Sequence, residues 1–126
     1  MPMTLFKKLA LLVTLATASL TVVGCGSSSG GASIDTTGAT IIDVRTAAEY
    51  AGGHLQGAVN IDVQSADFGA KIAKLPKDGK YVLYCRSGAR AATALAQMKA
   101  VGFTDVTNAG GIDAASTATG LPIVTS

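Results

Sequence analysis

Within six consecutive positions, Cys85-Arg86-Ser87-Gly88-Ala89-Arg90, the chain combines a thiol, a glycine and two guanidinium groups. The apolar run before it, Tyr81-Val82-Leu83-Tyr84, has the length of a buried strand. Residues 91–101 after it have helical spacing, with Ala91, Ala94, Leu95, Met98 and Val101 on one face and Gly102 as the stop. The thiol thus stands where a strand gives way to a helix start. Unpaired N–H groups and the positive end of the helix dipole favour an anion there, and a thiolate is a nucleophile. Gly88 lets the backbone bend so that successive N–H groups converge as an anion nest. Arg86 and Arg90 add formal positive charge beside it. An isolated cysteine at a strand end is ordinarily a small buried hydrophobe. The coincidence of thiol, glycine bend and cations at a helix start favours a reactive sulfur.

Other polar residues invite a catalytic reading less strongly. Asp43 and Arg45 read as a structural ion pair tying a strand to its following loop, and Glu49 as a member of the same supporting network. His54 is the only histidine, and without a neighbouring cysteine or acid cluster it makes a poor metal ligand. It is expected to be a structural hydrogen-bonding group. Lys71, Lys74, Lys77 and Lys80 form a solvated face. No metal and no cofactor are expected.

The elements that must position the thiol follow from periodicity. Residues 40–44 and 58–61 read as strands, and residues 47–51 as one or two helical turns broken by Gly52-Gly53. Phe68, Ile72 and Leu75 mark one face of a helix over residues 65–75. Pro76-Lys77-Asp78-Gly79 is a turn by its chemistry. Residues 105–107 predict a further strand, and residues 112–117 a weak final helix. Strands alternating with helices predict an α/β fold, a parallel sheet flanked by helices on both faces. In such sheets ligands bind beyond the carboxyl ends of the strands, where Cys85 is expected.

The first residues read as an address. Lys7 and Lys8 precede an uncharged apolar stretch, residues 9–23, too short for a comfortable membrane span of about 20 residues but suited to an export signal. Val22-Val23-Gly24-Cys25 resembles the bacterial lipoprotein signal, which implies cleavage before Cys25 and lipid on that cysteine. The expected organisation is residues 1–24 as signal peptide, 25–33 as lipidated cysteine and Gly/Ser tether, and 34–126 as one domain. The chain has ten Lys+Arg against eight Asp+Glu. Both leader lysines leave with the signal, so the remainder is formally neutral and offers no basic patch for nucleic acid. With Cys25 lipidated, Cys85 is the one remaining thiol and has no internal disulfide partner.

Ile42-Asp43-Val44-Arg45, Glu49-Tyr50, residues 53–60, the Cys85–Arg90 loop and Asn108-Ala109-Gly110-Gly111 together resemble a single-domain rhodanese. The likeness covers most of residues 41–112. The short N-terminal part and Gln56 are most similar to the small periplasmic phage-shock type. Asp113-Ala114-Ala115 departs from the pattern, because a bulky aromatic often follows the Gly-Gly-Ile segment in that family. Looser C-terminal packing is the expectation.

The resemblance implies a thiosulfate sulfurtransferase in which Cys85 attacks the outer sulfur of thiosulfate, carries it as a persulfide and passes it to cyanide or a thiol. The amides of residues 86–90 would stabilise the charged sulfur. Arg86 would guide the anionic donor, and Arg90 would either order the loop by pairing with an acid, the reading favoured, or help bind the donor. A thioredoxin-like protein is a further candidate acceptor. The place expected is the bacterial cell envelope, periplasmic or on the outer face of the membrane, with lipid on Cys25 as the anchor. A small neutral domain without an obvious exposed apolar stripe is expected to be a monomer. Two rivals bear on the same loop. Related cysteine phosphatases and arsenate reductases place five residues between cysteine and arginine, whereas four stand here, a ring better sized for one sulfur atom. A tethered persulfide carrier with little turnover needs the same cradle and stays open.

Overall fold

Along residues 80–85 the side chains alternate so that Tyr81, Leu83 and Cys85 enter one apolar cluster while Val82 and Tyr84 enter another. A strand buried on both faces belongs in the middle of a parallel sheet. The computed structural model describes residues 32–125. The leader, Cys25 and the tether up to residue 31 lie outside them. The elements in chain order are β1 (Ala39–Asp43), α1 (Ala47–Ala51), β2 (His54–Leu55), β3 (Val59–Asn60), α2 (Phe68–Ile72), β4 (Lys80–Cys85), α3 (Ala89–Ala100), β5 (Asp105–Gly111), α4 (Ile112–Thr119) and β6 (Ile123–Val124). Four strands form a parallel sheet in the order β3-β1-β4-β5, and β2 and β6 form a small antiparallel pair.

The two faces of the sheet have separate cores. One holds Ile42, Val44 and Leu83 against Phe68 and Ile72 of α2 and Ala91, Ala94 and Met98 of α3. The other holds Ile41, Val82 and Tyr84 against Leu55, Ala58 and Ala115, with Tyr50 of α1 at its margin. Small residues let α3 approach closely: Ala91, Ala94 and Met98 are all fully buried. Each large aliphatic so buried contributes about 1.5–3 kcal/mol relative to exposure. This is the α/β arrangement expected, with helices on both faces.

Local differences from the sequence reading have local causes. The second helix covers only Phe68–Ile72, because Asp62 and Ser65 hold the preceding backbone in turns: Gln64 N–H bonds to Asp62 Oδ1 at 2.8 Å and Ser65 Oγ donates to Asp67. Val101 leaves the inward face of α3 and is 47% exposed. The helix ends at Ala100, and Phe103 takes the place instead, its N–H bonded to the Met98 carbonyl at 3.1 Å. The final helix is a full eight residues. Ala115 is completely buried in it, so a methyl group occupies the core position a larger side chain could have filled. The β2–β6 pair has no sequence signature, since two-residue strands show no periodicity.

Candidate active site

Parallel pairing brings the carboxyl ends of β1, β4 and β5 to one edge of the sheet. From β1 the chain moves outward to β3, then returns over α2 to β4 on the opposite side of β1. Neighbouring strands that depart in opposite directions open a crevice between their carboxyl ends. Asp43 ends β1 opposite Tyr84, and Cys85 is one residue farther along β4.

Cys85 is fully buried, its sulfur beneath the loop that follows. The Gly88 N–H donates to Sγ at 2.9 Å. Gly88 has φ +94°, a left-handed conformation costly to any residue with a Cβ. That bend turns the loop into α3, whose first internal bond runs from Ala92 N–H to the Gly88 carbonyl at 2.9 Å. The N–H groups of Ser87, Ala89 and Arg90 have no protein acceptor among the described residues. The loop and helix start therefore keep donors free for an anion.

β5 builds the facing wall. Between Leu83↔Asn108 and Cys85↔Gly111, β5 spends one residue more than β4, a bulge beside the cysteine. Asn108 fixes it from both sides, donating from Nδ2 to the Gly88 carbonyl at 3.1 Å and accepting the Gly110 N–H on Oδ1 at 2.8 Å. Gly111 passes so close to the loop that a Cβ there would lie 2.5 Å from the Arg86 carbonyl oxygen. Only glycine fits.

Two ion pairs support this edge. Arg90 donates to both oxygens of Glu49, at 2.7 and 2.9 Å. Glu49 also completes a capping box with Thr46 at the start of α1. The Arg90 guanidinium, chiefly, lowers the Glu49 carboxyl to about 2, and Glu49 in turn raises Arg90, with Cys85 adding a smaller contribution. At the end of β1, Arg45 donates from Nε at 3.0 Å and from Nη2 at 2.7 Å to the buried Asp43 carboxylate. Nη2 also reaches the Gly53 carbonyl at 2.6 Å. Hydrogen bonding to Asp43 raises Arg45 against the opposing effect of burial. The guanidinium stands over the Tyr84 ring at 5.7 Å, and burial pushes the Tyr84 phenol strongly upward, so it stays neutral. Its oxygen accepts the Leu55 N–H at 2.9 Å.

The structure thus gathers Cys85, residues 86–90 and Glu49 around one loop. Asp43 and Arg45 lie at the adjoining strand end with their charges spent on each other. His54 is buried, stacked on Tyr50 at 3.7 Å, and donates from Nδ1 to the Tyr50 carbonyl at 2.8 Å. Arg86 is exposed and lines a cleft of about 490 Å³ beside the loop, together with Gly53, Ile112, Asp113 and Ile123. Among the described residues, no group of three His, Cys, Asp or Glu side chains could hold a metal ion.

Sequence reasoning assigned no role to Thr46, Asn60, Tyr84, Asn108 or Asp113. Thr46 carried a detectable signal, the Thr-x-x-Glu capping box. Asn60, which donates to the carbonyls of Asp43 and Arg45 at 3.1 and 2.9 Å, and Tyr84 showed no sign of these bonds, because their partners are distant in sequence.

A buried cysteine under an amide-rich loop at the carboxyl edge of a small parallel sheet defines the class of protein. The Rhodanese-like domain family model matches residues 22–118, and the chain belongs to that family. Over 65 residues it is 45% identical to a probable adenylyltransferase/sulfurtransferase, MoeZ, of Mycobacterium tuberculosis, covering 52% of this chain but only 17% of that relative. It is 37% identical over 90 residues to a sulfurtransferase of Allochromatium vinosum, covering 71% of this chain and 82% of the relative. Against thiosulfate sulfurtransferase PspE of Escherichia coli the identity is 34% over 71 residues, covering 56% and 68%. Among solved structures, a rhodanese with anions from E. coli superposes with TM-score 0.59 at 30% identity, covering 70% of this chain and 99% of that one.

Proposed function

We propose that the protein is a thiosulfate sulfurtransferase working through a persulfide on Cys85. The observation that carries this reading is the 2.9 Å N–H···S contact from Gly88, in a loop with further amides directed to no protein acceptor. In the first half-reaction the Cys85 thiolate attacks the outer sulfur of thiosulfate. A new S–S bond forms at Sγ, and the original S–S bond breaks with its electron pair leaving on sulfite. In the second, cyanide or a thiolate attacks the outer sulfur of the persulfide, and the electron pair of that S–S bond returns to Sγ. Loop amides stabilise the charged sulfur in both steps, and Arg86, exposed at the cleft, attracts the dianionic donor. Arg90, held by Glu49, keeps the loop in register with α1. The similarity to PspE supports the thiosulfate assignment, as does the loop of four residues between Cys85 and Arg90.

The placement proposed is the bacterial cell envelope, through lipid on Cys25 after removal of residues 1–24, with the Gly/Ser segment as tether to a monomeric domain. Loss of membrane retention in Cys25→Ala is the corresponding test.

The enzymatic proposal is tested by steady-state assay of residues 34–126 and its Cys85→Ser variant with thiosulfate and cyanide. Wild-type turnover with parallel-line, ping-pong kinetics and none in the variant is the expected result. Equal activity in the two overturns the mechanism. A one-sulfur mass gain on Cys85 without turnover points to a sulfur carrier instead.

A further inference from the structure

The cleft beside the loop has features that the donor half-reaction leaves unused. Arg86 lies in one wall and Asp113, in the first turn of α4, in another; both are exposed. Among the described residues neither has an ion-pair partner, and no salt bridge joins them to each other. The remaining charges on the cleft are neutralised, Arg45 by Asp43 and Glu49 by Arg90. One free cation and one free anion thus remain on a concavity of about 490 Å³, within the range of small-molecule sites. Apolar surface is there too: Ile123 is 44% exposed and Ile112 is partly exposed. Two lining residues are held to each other, the Arg45 guanidinium donating to the Gly53 carbonyl at 2.6 Å.

Thiosulfate is an anion only, so it has no use for Asp113. An anionic wall repels the donor and serves a molecule carrying a cation of its own. We infer that this cleft is a subsite for a zwitterionic thiol acceptor, an amino-acid-type or small-peptide thiol. Its ammonium group faces Asp113, its carboxylate faces Arg86, and its carbon stem lies against Ile112 and Ile123. The inference rests on the sulfur-transfer reading above and specifies its second half. The order of events makes sharing possible: sulfite departs before the acceptor enters, so Arg86 serves two anions in succession. The persulfide also carries its reactive sulfur about 2 Å beyond Sγ, and Arg86, next to Cys85 in the chain, lines the cleft. The acceptor thiolate forms a bond to that outer sulfur. The Sγ–S bond breaks, its electron pair returns to Sγ, and the acceptor leaves as a persulfide with no net oxidation.

The test compares cysteine with N-acetylcysteine, in which acetylation removes the amine charge and raises the thiol pKa, as acceptors at equal thiolate concentration in wild type and Asp113→Asn. Cysteine is expected to have the higher kcat/KM in the wild type by about two- to fivefold, the worth of an exposed ion pair. That preference falls to near unity in Asp113→Asn, with the change in KM rather than kcat. Intact mass after thiosulfate treatment reads the first half-reaction in both proteins. Persulfide formation with an unchanged cysteine preference, or with no preference in the wild type, overturns the subsite alone. Failure of the wild type to gain a sulfur overturns the sulfur-transfer reading and the subsite together.

Discussion

Arg90, in the first turn of α3, and Glu49, in the first turn of α1, form a two-pronged ion pair across 41 positions of sequence, with N···O distances of 2.7 and 2.9 Å. The same carboxylate caps α1 through Thr46. One side chain thereby ties the start of the helix after β1 to the start of the helix after β4, the two elements that flank the cysteine crevice. Two parallel N–H···O bonds fix direction as well as distance.

This relationship sets an acid dependence. The Glu49 carboxyl lies at about 2 in the fold, against 4.5 without its surroundings, chiefly because of Arg90. A folded-state value below the unfolded one means that the contribution is complete above about pH 4.5 and is lost as pH falls towards 2. Because both side chains are partly exposed, water screens the pair, and about 1–2 kcal/mol is the expected worth. Glu49→Gln is therefore less stable than wild type at pH 7 by that amount in urea denaturation. The gap closes between pH 4.5 and pH 2; a gap constant over that interval contradicts the assignment.

Arg45 compensates a buried negative charge. Asp43 is fully inaccessible and its carboxylate bonds to Arg45, so Arg45→Met leaves that charge unpaired and frees the Gly53 carbonyl. Removing one member of such a pair costs about 3–5 kcal/mol. Urea unfolding at neutral pH should show a loss of this size, whereas a loss below about 1 kcal/mol, the range of exposed pairs, would show that water reaches the pair.

Gly111 is a close approach of β5 to the cysteine loop. Gly111→Ala forces the Arg86 carbonyl, 2.5 Å from the new methyl group, to move. Displacement of a catalytic loop by about 1 Å can lower the rate by about 10²-fold. Sulfur transfer to cyanide should fall by that order while far-ultraviolet circular dichroism stays native. Full activity in a folded Gly111→Ala protein rules out tight loop positioning by β5.

Tyr84 tests whether the second core depends on a polar bond. Tyr84→Phe removes the acceptor of the Leu55 N–H and keeps the ring in its fully buried place. An unsatisfied buried N–H costs about 1–3 kcal/mol, which equilibrium unfolding should register. A neutral substitution shows that the Leu55 amide finds another acceptor.

Most strands and helices were legible because their cause is local. Tyr81 to Cys85 is apolar over its whole length, as a strand covered on both sides must be. The spacing of Ala91, Ala94 and Met98 identified α3 and its inward face. Where causes are not local, the reading missed. Val101 continues the apolar spacing of α3, yet the helix stops short of it and Phe103 fills the space. β2 and β6 exist only because the C-terminal segment returns to His54 and Leu55, a meeting of positions far apart in the chain.

The candidate site divides along the same line. By itself the sequence determined the cysteine, the glycine bend after it and the four-residue interval to Arg90, because a strand–loop–helix junction is encoded in consecutive residues. It also marked Glu49 and Asp43 as supporting acids. The Asp43–Arg45 pair, two positions apart, was legible as well, but only the tertiary structure decided that Glu49 takes Arg90. Among the described residues Arg86 is left without an ion-pair partner, and the fold brings Asp113 from α4 to the same cleft. Pairing depends on how parallel strands place their carboxyl ends side by side, and no local spacing records that arrangement.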